Sequence, residues 1–134
     1  MNRCVRAVCA GVLGTLLAAC GIVESDDPLE TQLSTVRDGG QAVPLRDVTD
    51  FGWDEVHLFN EYTDKDVIEN VVGEPVISAD YHAAGSLLVF EERGTVVKTV
   101  TITGDYLRAD GNTFGSDVLV VPNGAGALRL EDPR

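Results

Sequence analysis

The chain has 134 residues with 10 basic and 22 acidic side chains, a formal net charge of −12. Nucleic acid and anionic bilayer surfaces both repel such a chain, which removes them as partners of its folded part. The length suits one domain, and all three cysteines fall at or before position 20, so no disulfide is expected inside the folded body.

Residues 1–19 read as a secretory signal. Arg3 and Arg6 precede an uncharged apolar stretch from Ala7 to Ala19 that ends in small residues. That stretch is too short for a hydrocarbon core of about 30 Å, which asks for roughly 20 residues. Leu17, Ala18, Ala19 and Cys20 resemble the lipobox of bacterial lipoproteins. The resemblance implies a diacylglyceryl thioether on Cys20, cleavage just before it, and acyl chains such as palmitate anchoring the protein on the extracytoplasmic side of a bacterial membrane. Cys4 and Cys9 have too little apolar chain before them for this role. Two acyl chains hold a protein firmly where one gives marginal binding. Cleavage leaves 115 residues and lowers the basic count from 10 to 8 against 22 acids, a net charge of −14. Residues 20–26 then form a lipidated tether, and residues 27–134 a single extracytoplasmic domain.

The first helix signal lies just past the tether. Asp27 is a cap, Pro28 fits the first helical position, and Glu30 is placed to reach back as a capping-box partner. Leu29, Leu33 and Val36 share one face, and Gly39-Gly40 ends the run. Val43 to Asp50 reads as irregular, with Pro44 limiting any helix. Trp53 and Val56 to Phe59 follow as a strand. A second helix is predicted from Thr63 as cap, with Asp66 as the reciprocal acid and Val67, Ile68, Val71 and Val72 as its buried stripe. Gly73 and Pro75 end it. Leu87 to Phe90 and Val96 to Thr103 read as a hairpin whose loop of about four residues is Glu91-Glu92-Arg93-Gly94. Strands are also expected at Val118 to Val121 and near Ala127 to Leu130, with turns at Asp110-Gly111-Asn112 and Asn123-Gly124. The expected fold is α+β, with two short helices packed on a mainly antiparallel sheet of about five strands.

A search for chemistry finds little. His57 and His82 are the two histidines. His57 alternates with Val56 and Leu58, so it points away from their face, and a surface or strand position without chemistry is the expectation. Asp80 and His82 lack the spacing of a metal signature. Ser86 has no feature of a nucleophile. Placing Gly111 at the sharp turn of a calcium loop puts Tyr106 and Arg108 at the first and third ligand positions, where neither ligates like a carboxylate. Residues 105–117 therefore read as a polar loop. No catalytic or metal residue is assigned, and no cofactor is expected; Cys20 is the one site residue named.

Phe51, Trp53, Phe59 and Tyr62 are expected to form an aromatic cluster that holds the second helix on the sheet. Trp53-Asp54 with Val56, Phe59 and Tyr62-Thr63 resembles a W-D-x-V-x-x-F-x-x-Y-T segment of small bacterial secreted proteins and lipoproteins, over residues 48–74. Asn60-Glu61 departs from the Gly-Pro common there, and no activity goes with the resemblance. The expected function is a membrane-anchored lipoprotein with a non-catalytic extracytoplasmic interaction or envelope-associated role, an envelope protein or a small ligand being its expected partner. The alternatives are a small-molecule or cation-binding lipoprotein, with a pocket near residues 80–86 or 105–117, and a hydrolase built on His82, Ser86 and an acid.

Overall fold

The computed structural model describes residues 24–25, 27–82 and 84–134. The signal at 1–19, Cys20, most of the tether and the side chain of the expected cap Asp27 lie outside the described residues.

The chain order is β1 (Glu24–Ser25), α1 (Asp27–Gly39), β2 (Val43–Pro44), α2 (Leu45–Val48), β3 (Glu55–Asn60), α3 (Lys65–Val72), β4 (Gly85–Glu92), β5 (Thr95–Thr103), β6 (Leu107–Ala109), β7 (Thr113–Gly115), β8 (Leu119–Pro122) and β9 (Leu128–Glu131). The expectation of two helices on one sheet of about five strands is corrected. Among the described residues, three helices accompany two sheets, one ordered β1-β5-β4-β3-β7 and the other β2-β8-β9-β6. The chain switches sheets after β5. β6 joins the second sheet beside β9, the Asp110-Gly111-Asn112 turn crosses back, β7 pairs with β3, and β8 returns to the second sheet. Among the described residues no helix is long and apolar enough to cross a membrane.

The first sheet is covered on both faces. Val56, Leu58, Leu88, Phe90, Val100 and Ile102 face the second sheet and α1, meeting Leu33, Val120, Leu128 and Leu130. Phe59, Leu87, Val89 and Val96 face the other way, against Ile68 and Val72 of α3 and the following Val76 and Tyr81. Two buried faces explain why Leu87 to Phe90 is continuously apolar instead of alternating. They also divide the expected aromatic cluster. Phe51 and Trp53 pack edge-on against Phe90 at 4.9 and 5.2 Å, Phe59 lies on the opposite face, and Tyr62 is 71% exposed.

Local chemistry departs from the predicted caps. Thr63 donates its hydroxyl to the Asn60 carbonyl at 2.6 Å, and Asp64 stands at the start of α3 without a side-chain cap bond. The first-turn N–H of Lys65 is instead met by Asp80 at 2.8 Å. Gly73 ends α3 in the left-handed region at φ 90°, its N–H bonded to the Glu69 carbonyl at 2.7 Å. The Glu30 carboxylate accepts the Thr103 N–H of β5. A short helix also follows Pro44 directly, whose φ of −57° is compatible with a helix start.

The β4–β5 hairpin is tighter than expected. Glu91 and Glu92 belong to β4, and the turn is Arg93-Gly94 with φ of 52° and 78°, a two-residue type I′ connection. Asp54 accepts the Arg93 N–H at 2.9 Å. A bulge follows: Phe90 opposes Lys98 while Glu91 opposes Val96, so Val97 is the extra residue. The bulge lets Val96 share a face with Thr99, opposite Glu91 on the α3 side of the sheet. The outer edge of β5 carries β1 at Val100 and Thr101, while Glu74 accepts the Val96 N–H at 3.1 Å.

Candidate metal centre

Alternation along β3 places Glu55, His57 and Phe59 on the α3 side of the first sheet, opposite Val56 and Leu58. Register then decides their neighbours. Glu55 stands directly across from Glu91 of β4, and His57 is across from Val89 on one side and Thr113 of β7 on the other. Like charges directly opposite on a sheet face repel, so a Glu–Glu pair needs something positive between its members.

His57 supplies the meeting point. Its Nε2 lies 2.9 Å from Glu91 Oε2 and 3.3 Å from Glu55 Oε1. Its Nδ1 lies 2.9 Å from the Thr113 hydroxyl. The His57 and Glu91 side chains are 2% and 5% exposed, and that of Glu55 is 46% exposed. The Phe59 ring stacks near the imidazole at 6.3 Å and closes the inner side. The group is thus walled by the sheet and opens past Glu55.

One atom each from Glu55, His57 and Glu91 lies within 4.8 Å of the others, a grouping able to hold a metal ion. Metal–nitrogen and metal–oxygen bonds of about 2.0–2.1 Å in a tetrahedron set ligand atoms about 3.3–3.4 Å apart. The 2.9 and 3.3 Å separations at Nε2 are near that spacing. Small side-chain rotations would bring the three donors onto one ion. An imidazole and two carboxylates form a mixed donor set of the kind that suits divalent ions from manganese to zinc.

The residues singled out from sequence have other occupations. His57, for which a surface or strand position without chemistry was expected, is buried on β3. His82 is exposed beside the Tyr62 ring at 6.0 Å. Asp80 serves the start of α3, and the buried Ser86 donates to the Leu107 carbonyl at 3.1 Å, joining the two sheets. His82, Ser86 and Asp80 therefore do not assemble a hydrolytic site. In the 105–117 segment, Asp105 pairs with Arg108 at 2.7 Å and Asp110 pairs with Arg129. A hollow of about 340 Å³ beside that segment is bordered by Asp110, Arg129 and Glu131, charges that already pair with one another.

Sequence reasoning missed Glu55 and Glu91. Their signal was a matter of register: two acids on separate strands become neighbours of His57 once β3 and β4 align as they do. Comparison with family models, with curated proteins and with solved structures finds no match for this chain.

Proposed function

We propose that this protein is a lipid-anchored envelope domain whose folded body binds a divalent metal cation through Glu55, His57 and Glu91. One observation carries the cation reading: a buried imidazole nitrogen within 2.9 and 3.3 Å of carboxylates from two strands. The acidic composition supports it by drawing cations toward the surface. The anchoring part of the proposal rests on the lipobox-like run ending at Cys20. It would place the domain on the extracytoplasmic face of a bacterial membrane, where it meets ions and envelope proteins directly.

Zn²⁺ titrated into the purified, metal-stripped protein by calorimetry tests the cation reading. One ion per chain is expected, with affinity lowered at least about tenfold in both Glu91→Gln and His57→Ala. No uptake by the native protein, or equal uptake by all three, overturns it. Anchoring is tested separately. Mass analysis of the native N-terminus should find Cys20 lipidated, and the Cys20→Ser protein should leave the membrane fraction. An unmodified Cys20 overturns that part alone.

A further inference from the structure

We infer that Thr113 and Asn112 are positioning residues that turn the His57 nitrogen into the metal centre, so that the centre selects nitrogen-preferring transition ions such as Zn²⁺ over Ca²⁺ and Mg²⁺. The inference rests on the cation reading of the same site. The Thr113 hydroxyl has one proton to give. That hydroxyl donates to Asn112 Oδ1 at 3.2 Å, and its oxygen is then free to accept. The group facing it is His57 Nδ1 at 2.9 Å, so Nδ1 carries a hydrogen and donates it to Thr113. Nε2 is then the ring nitrogen left to face Glu55 and Glu91, and its lone pair is the one that an ion seated there would take.

Nε2 lies within hydrogen-bond reach of Glu91 Oε2, with Glu55 Oε1 close by. A cation seated among the three would draw on both carboxylates and on Nε2 together. A metal-ligating imidazole usually gives its other N–H to an acceptor that fixes the tautomer and ring orientation. The Thr113 hydroxyl holds that place here.

Selectivity follows from which donor is being held. Ca²⁺ and Mg²⁺ take oxygen ligands and gain little from an imidazole, whereas Zn²⁺ and its neighbours bind nitrogen well. Carboxylates alone favour neither class strongly. Fixing Nε2 toward the ion therefore strengthens the transition metals selectively. Thr113 is exposed on the short strand β7, so its replacement opens no cavity in the core.

The experiment compares native protein, Thr113→Val, Thr113→Ser and Asn112→Ala for Zn²⁺ and Ca²⁺ binding, with ¹⁵N NMR of the His57 ring in the Zn²⁺ form. The native protein should bind Zn²⁺ at least tenfold more tightly than Ca²⁺, with hydrogen on Nδ1 and metal on Nε2. Thr113→Val should weaken Zn²⁺ about 10–100-fold, leave Ca²⁺ nearly unchanged and blur the ring signature, while Thr113→Ser restores both. Asn112→Ala should lose less, because the Thr113 oxygen stays in place. Native Zn²⁺ binding with equal affinity and unchanged ring signals in Thr113→Val overturns the positioning role and leaves the cation reading standing. Ca²⁺ binding as tight as Zn²⁺ overturns the selectivity. Failure of the native protein to bind Zn²⁺ removes the cation reading itself.

Discussion

Glu91 has the greatest energetic consequence of any single side chain in the site. It is 4% exposed and meets His57 Nε2 at 2.9 Å. Truncation by Glu91→Ala leaves a buried imidazole without its partner, which costs about 3 kcal/mol when one member of a buried pair is removed. Urea unfolding in chelator-treated buffer should show that loss, and a cost under about 1 kcal/mol would mean that the pair contributes little. Tyr81 presents the opposite case. Its hydroxyl is buried with no hydrogen-bond partner among the described residues. Tyr81→Phe removes an unsatisfied group and should leave the urea midpoint unchanged or raise it. Both residues show what sequence conveys at this scale. A glutamate beside Glu92, Arg93 and Gly94 looks like turn material, because polarity marks loops until a distant partner explains it. The partner is 34 residues away, and nothing local announces it.

At the scale of elements, two glycines separate backbone strain from steric exclusion. Gly94 in the hairpin turn has φ 78° and nothing within 4 Å of an added Cβ. Gly94→Ala should cost about 1–2 kcal/mol, the strain of a left-handed residue. Gly85 opens β4 at φ 113°, and its added Cβ would fall 1.9 Å from the Ile102 carbonyl oxygen. Gly85→Ala must displace β5 or fail to fold, so its thermal midpoint should fall well below that of Gly94→Ala; equal midpoints would contradict the close approach. Helix ends were legible where one residue decides them, as Gly73 does. They were misread where a remote group decides them. Asp80 reaches the start of α3 across 15 residues, and its replacement by Ala should cost about 1 kcal/mol, a typical cap value.

Over the whole molecule, alkaline stability follows from two phenols. Burial raises the Tyr81 hydroxyl above its ordinary value, and the negative Glu61 adds to the effect. Burial likewise raises Tyr106, with Glu30 adding and Arg37 opposing. In the unfolded chain both ionise near the ordinary value of about 10. Their stabilisation is therefore complete below about pH 10 and lost as pH climbs through the folded values. The urea midpoint should decline above pH 10, and the decline should be shallower when both tyrosines are Phe; an identical slope would remove this cause. The one-sheet expectation failed at this same scale. Alternating residues reveal which face of a strand is buried, but short strands such as β6 and β7 carry no mark of the sheet each will join.

The four outermost strands have a consequence for how copies of this protein meet. β1 and β2 have two residues each, and β6 and β7 three. Pro44 lies within β2, and β5, the longest strand, shields its flank with the Val97 bulge and with carboxylates at Val96 and Thr103. Edge-to-edge growth requires a long, flat, uncharged row of backbone groups. These sheets present none, so crowded copies should collide without polymerising.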